Sequence, residues 1–140
     1  MELTLINERW DFLKPEYATE YSSAADLKTA IDITIRAKTR AKVPTGVRLT
    51  GIQERDMDIQ VRARSGLADK YGLMLVNGIG TIDADYKDEI CVLLYNSGDE
   101  DVVFKVGDRI AQIILTNRGT FKNVPVKIDV RKGGFGSTGT

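Results

Sequence analysis

Three short stretches of this 140-residue chain carry side chains whose types and spacing could do chemistry. Asp83 and Asp85 flank Ala84 and precede Tyr86, just after the loop Asn77-Gly78-Ile79-Gly80. In an extended strand positions 83 and 85 share one face, which would set the two carboxylates side by side. Such a pair can hold a cation or divide a basic from a structural role, and a neighbouring tyrosine offers a flat ring to a sugar or base. Upstream, Arg62 and Arg64 lead into Ser65-Gly66-Leu67-Ala68. A helix start has unpaired backbone N–H groups and a positive dipole end, a hydroxyl adds a donor, and glycine lets an anion come close, so this stretch reads as a phosphate site. The tail joins Arg131 and Lys132 to glycines, Phe135, Ser137 and Thr138. Cations and freed backbone donors meet phosphate charge and a ring covers a base, the makings of a lid over a nucleotide. Alone, each stretch has a plainer reading: an exposed hairpin, a capped helix beside a solvated arginine, a Gly-rich end. Together they suit one ligand, a polyphosphate carrying a planar base.

The elements that must position these groups are mostly strands. Apolar residues recur with period two at Leu3 and Leu5, at Ile31, Ile33 and Ile35, and at Met57, Ile59, Val61 and Ala63. In the last run Asp58, Gln60, Arg62 and Arg64 take the outward positions, so the arginines emerge beside the segment from Ser65 to Gly72. That segment predicts a helix of one or two turns, with Ser65 as cap and Gly72 closing it. Turn signals at Pro44-Thr45-Gly46, Asn77-Gly78, Asn96-Ser97-Gly98-Asp99, Gly107-Asp108 and Asn117-Arg118-Gly119 separate short strands, which predicts an all-β sandwich or barrel. We read one domain over residues 1–130 and a Gly-rich lid over 131–140 that has too little apolar surface to order itself by burial and is expected to be mobile.

Bulk properties exclude several classes of function. A domain of this size hides roughly two thirds of its unfolded surface, enough for a core without disulfides. The single Cys91 cannot form an internal bridge and lies in the apolar run Ile90-Cys91-Val92-Leu93-Leu94, which predicts a packed thiol in a reducing, cytoplasmic setting. Twenty basic residues balance twenty acidic ones, so the chain lacks the positive field of a nucleic-acid or anionic-membrane binder. Arg36, Lys38, Arg40 and Lys42 alternate along a possible strand and are read as a solvated face. No stretch approaches the roughly 20 apolar residues of a membrane span, and the first residues lack a leader pattern. Histidine is absent, so Ser-His-Asp and Cys-His mechanisms fall away and acid-base chemistry rests on carboxylates.

At this point the residues resemble a family, the homotrimeric dUTPases, whose five short motifs occur here in order between about Ser22 and Thr140. The second resembles Arg62-Ala63-Arg64-Ser65-Gly66-Leu67-Ala68, the third Asn77 through Glu89, the fourth Gly107-Asp108-Arg109-Ile110-Ala111-Gln112, and the fifth Gly133-Gly134-Phe135-Gly136-Ser137-Thr138-Gly139. The first, Ser23-Ala24-Ala25-Asp26-Leu27, has Ala24 where the family usually has glycine. Asp88 stands at another usual glycine, and Arg131 lies one residue closer to the paired glycines than is typical, so that Lys132 shares its candidacy.

The resemblance implies a distorted jelly-roll β-barrel with one short helix, assembled as a homotrimer whose three active sites draw on all three chains. It implies hydrolysis of dUTP to dUMP and pyrophosphate by water attack on the α-phosphorus, supplying dUMP for thymidylate synthesis and keeping uracil out of DNA. Asp83 is the implied base, and Mg²⁺ is held mainly through its waters with Asp26 as an anchor. Asn77, Gly80, Thr81, Ile82 and Cys91 are assigned to the uracil edge, Tyr86 to the deoxyribose and Phe135 to a cap over the base. Arg64, Ser65, Gly66, Gln112, Arg131, Ser137 and Thr138 are assigned to the phosphates, and Asp85 to a structural hairpin contact. Two alternatives share the fold: a dCTP deaminase, which would want a glutamate base in the same region, and a trimer that senses dUTP to regulate a partner protein.

Overall fold

A computed structural model of the chain describes residues 1–127. Its elements are β1 (Glu2–Leu5), a 3-10 turn (Asp11–Leu13), β2 (Ala25–Lys28), β3 (Ile33–Ile35), β4 (Arg40–Pro44), β5 (Val47–Thr50), β6 (Met57–Arg62), α1 (Ser65–Tyr71), β7 (Leu73–Leu75), β8 (Gly80–Ile82), β9 (Cys91–Asn96), β10 (Val102–Phe104) and β11 (Arg109–Asn117). The all-β expectation with one short helix holds. Among the described residues the strands form separate ladders, with no closed barrel: β2-β11-β6-β8, β4-β9-β7, β1-β5 and β10-β3, all antiparallel.

Alternation dictates which face of each strand turns inward. In β6, Ile59 and Val61 are buried, while Gln60 turns outward and donates from Nε2 to Asp58 Oδ2 at 2.6 Å and accepts from Arg62 Nε at 3.2 Å. In β9, Val92, Leu94 and Asn96 point in. Val92 and Leu94 meet Leu27, Ile35, Val43, Leu73, Leu75, Ile110 and Ile113 in one core, where each aliphatic side chain contributes about 1.5–3 kcal/mol by leaving water. Asn96 is the polar exception, fully buried, and its amide is satisfied: Nδ2 donates to Ile35 O at 2.9 Å and Glu100 O at 2.7 Å, and Oδ1 accepts from Gly98 N–H at 3.0 Å.

Two local expectations need correction. Ser65 is the first helical residue and not the cap; that place belongs to Arg64, in an extended conformation with no side-chain capping bond. Gly72 does close the helix, at φ 70°, and its N–H reaches Ala68 O. The run from Arg36 to Lys42 is no single strand either, because Lys38 takes φ 62° and donates its N–H to Asn96 O at 2.8 Å, turning the chain between β3 and β4. The four cations therefore share no continuous strand face.

Candidate functional site

The segment from Leu73 to Asn96 folds around a cavity of about 270 Å³. Strands β7 and β8 are consecutive in sequence but belong to different ladders, β7 pairing with β9 and β8 with β6, so residues 76–79 form a corner between sheets and not the tip of a two-strand hairpin. Two glycines make that corner possible. Gly78 sits at φ 72°, and at Gly80 a β-carbon would lie 3.1 Å from Val61 Cβ, inside ordinary contact. Asn77, Gly80, Thr81, Ile82, Tyr86 and Cys91, the described residues expected around a base and its sugar, all line the cavity, and so does Asp83, the expected catalytic base.

The two aspartates are not presented as a strand pair. After Ile82 the chain leaves β8 and turns, Tyr86 N–H donating to Asp83 O at 3.0 Å, and only Asp83 of the pair lines the cavity. The same turn carries the Tyr86 ring inward to 9% exposure, where its hydroxyl donates to Glu89 O at 2.8 Å. The remaining walls are apolar: Val61, Leu75, Ile90, Val92 and Leu93. These were missed because they look like core, and the alternation of β9 next to the loop was the available signal. Cys91 is half-buried rather than packed away. Burial first, then the neighbouring Glu89 carboxylate, push its thiol above its ordinary pKa, against a smaller lowering by Lys42, so at neutral pH it presents an uncharged S–H to the cavity.

A second grouping is built on the outward face of β2 and β11. Asp26, only 9% exposed, lies between two guanidinium groups, Arg64 Nε at 3.5 Å from Oδ1 and Arg109 Nη1 at 3.7 Å from Oδ2. Arg64 also reaches Arg109 O from Nη1 at 3.4 Å, while its buried Nε has no hydrogen-bond partner among the described residues. Gln112 stands opposite Asp26 on β11 and opposite Arg62 on β6. An irregularity in the β2–β11 register between Arg109 and Ala111 is what brings Arg109 here: Ile110 and Ala111 are both buried, so Arg109 and Gln112 both face out. No alternation rule would have found Arg109 as the second partner of Asp26.

The structure does not join these groupings within one chain. Arg64 and Arg109 line an open groove of about 490 Å³ that has no residue in common with the cavity holding Asp83. Ser65 and Gly66 are exposed at the start of α1, and no atom lies within 4 Å of where a Gly66 β-carbon would stand. Phe135, Arg131, Lys132, Ser137 and Thr138 lie outside the described residues. Among the described residues no group of three or more Cys, Asp or Glu could hold a metal ion, and no helix is long and apolar enough to cross a membrane.

Comparison with known proteins gives this geometry a context. A family model described as dUTPase matches residues 11–139. The chain is 44% identical over 131 residues to a deoxyuridine 5'-triphosphate nucleotidohydrolase of Rickettsia akari, covering 89% of this chain and 87% of that one. It is 39% identical over 145 aligned positions to the protein of the same name from Finegoldia magna, covering 99% of both. Among solved structures, a dUTPase from Streptococcus mutans superposes with a TM-score of 0.78 at 27% identity, over 88% of this chain and 100% of that one.

Proposed function

The chain belongs to the dUTPase family, and from that premise we propose that it hydrolyses dUTP to dUMP and pyrophosphate. The observation that carries the reading to residues is the cavity: a small, largely apolar pocket whose polar groups are Asn77, the β8 backbone and Cys91, with Asp83 in its lining. A pocket of that kind buys selectivity through its buried polar edge, since a mismatched base leaves donors or acceptors unpaired at about 1–3 kcal/mol per group.

In this reading the uracil enters between Gly80–Ile82 and Cys91, its edge bonded by Asn77 and the β8 backbone. The Tyr86 ring packs under the deoxyribose, its hydroxyl already committed to Glu89 O. Asp83 orients a water molecule and takes its proton as the oxygen attacks the α-phosphorus; the P–O bond to the β-phosphate breaks and pyrophosphate leaves. Arg64, Gln112, Ser65 and Gly66 hold the phosphates, and the tail closes over them with Arg131, Ser137 and Thr138 on the phosphates and Phe135 on the base. The separation of the cavity from the Arg64 groove within one chain supports a site shared between copies in a homotrimer, one contributing Asp83, a second Asp26, Arg64 and Gln112, and a third the tail.

The donor set also bears on a metal. Asp26 is a single carboxylate between two guanidinium groups, with no cage of acidic ligands around it among the described residues. That donor set fits a largely hydrated Mg²⁺, which Asp26 would hold through water, better than an ion bound directly by several protein carboxylates. When bound, Mg²⁺ supplies charge neutralisation on the phosphates.

A deaminase would need a glutamate in this pocket, and the described residues lining it include Asp83 and no glutamate. The test is pyrophosphate release from dUTP, dTTP, dCTP and UTP with and without Mg²⁺. Pyrophosphate from dUTP at a kcat/KM at least about a hundredfold above the others is the expected result. Ammonia from dCTP, or no selectivity for dUTP, would overturn the reading.

A further inference from the structure

We infer that Lys28 is a positioning residue for the Asp26–Arg109 pair, acting through a clamp on residues 12–16; its place in catalysis rests on the function proposed above. Lys28 is two positions along β2 from Asp26 and so shares its face. Its side chain is only 13% exposed, and its ammonium donates to Phe12 O at 2.9 Å, Lys14 O at 3.2 Å and Glu16 Oε1 at 3.3 Å. An ammonium has three N–H donors, and these three acceptors use them all. Lys28 therefore has no proton left for a phosphate or for Asp26, although its position would otherwise mark it as a phosphate lysine. Glu16 is 71% exposed, so its carboxylate is heavily screened and the two carbonyls do most to hold the charge.

The clamped segment bonds the backbone of Asp26 and packs against the turn that leads to Arg109. On one side, β2 is the outer strand of its ladder, and Asp26 would turn its N–H to solvent if Glu16 O did not accept it at 2.8 Å as an isolated bridge. On the other, the Phe12 ring lies where a Gly107 β-carbon would be 3.4 Å from Cδ2. Gly107, at φ 92°, opens the turn into Asp108 and Arg109, and the turn is tied to the end of β2 by Gly107 N–H to Thr29 O and Thr29 N–H to Asp108 O, both 2.9 Å. One ammonium thus gathers a loop that braces the backbone of Asp26 and the turn that delivers Arg109. Cutting the clamp removes none of the residues assigned to the phosphates and loosens the frame beneath them.

The experiment uses the full-length protein carrying Lys28→Met, with two readouts. Amide hydrogen exchange should speed up about tenfold or more at Asp26 while the β6–β11 ladder stays protected, because the opening is local. Steady-state pyrophosphate release from dUTP should lose about tenfold in kcat/KM, the scale seen when an outer partner of a ligating group is removed, and Lys28→Arg should restore most of both. Unchanged exchange at Asp26 overturns the clamp. Faster exchange with unaltered kinetics overturns the positioning role, and uniformly faster exchange across all ladders reduces Lys28 to a general stabiliser, which also overturns it. If Lys28→Met does not fold, Lys28→Gln, which keeps one end of the contact, is read by the same criteria. A wild-type protein inactive on dUTP would sink the proposed function and with it the catalytic half of the inference, while the exchange readout would still decide the clamp.

Discussion

The cavity around Asp83 and the charged face around Asp26 are built by opposite means. The cavity is a corner: four loop residues between two sheets, a turn that swings Tyr86 inward, and walls borrowed from the core. The charged face lies on two regular strands, with one irregularity in β11 and cross-strand neighbours supplying Asp26, Arg109 and Gln112. The first offers a largely apolar, shaped pocket, and the second a set of paired charges. Groups that do chemistry on a corner are cheap for the fold to lose, whereas groups in a strand-borne ion pair also carry stability.

The largest test of that contrast is Asp83→Asn. Asp83 is exposed on the corner, so its loss should leave thermal unfolding within a degree or so while turnover of dUTP falls about 10²- to 10⁴-fold, the usual worth of a positioned base. Near-normal turnover would end its assignment. Asp26→Asn should show the mixed signature. With the carboxylate gone, two guanidinium groups face each other with their compensation reduced, at a cost of about 1–3 kcal/mol in denaturant unfolding, alongside about 10- to 100-fold in kcat/KM. A variant that lost activity with no change in stability would erase the distinction between the two regions. The smallest effect belongs to Cys91. Its folded-state pKa is raised, so the stability linked to the neutral thiol is complete below the unfolded-state value and is lost as pH rises through the folded value. Cys91→Ser should therefore fall behind the wild type in melting temperature near neutral pH and close the gap at alkaline pH. A constant gap would show that ionisation of the thiol is not what couples it to the fold.

How much of this was legible in the sequence follows the same division. Alternation placed Ile59 and Val61 inside and Arg62 outside, and the Ser65–Gly72 segment with its closing glycine was read as the helix it is, because strand pleat and helix ending are local properties. The cap was misassigned since a capping serine and a first-turn serine look alike until the backbone of Arg64 is seen to be extended. A common face for Asp83 and Asp85 presumes a continuing strand, but β8 ends at Ile82 although β6 runs on to Met57, because the chain turns there with Tyr86 N–H bonded to Asp83 O. Arg109 falls inside the fourth motif but takes no role from it, and alternation cannot pair it with Asp26 because a register irregularity breaks the period. The motif resemblance recovered the cavity residues that no periodicity could, since what assembles them is contact between segments far apart in the chain.

The corner at residues 76–79 also bears on how the domain comes apart. Because β7 and β8 are covalently consecutive but belong to separate ladders, four residues stitch the two sheets together at the rim of the pocket. Neither sheet can melt by itself without pulling this stitch and dismantling the pocket wall. In the function proposed above, a nucleotide seated there would act as a rivet through both layers: it would bind only while both are intact, and by mass action its occupancy would raise the melting point of each by the same ligand-dependent increment.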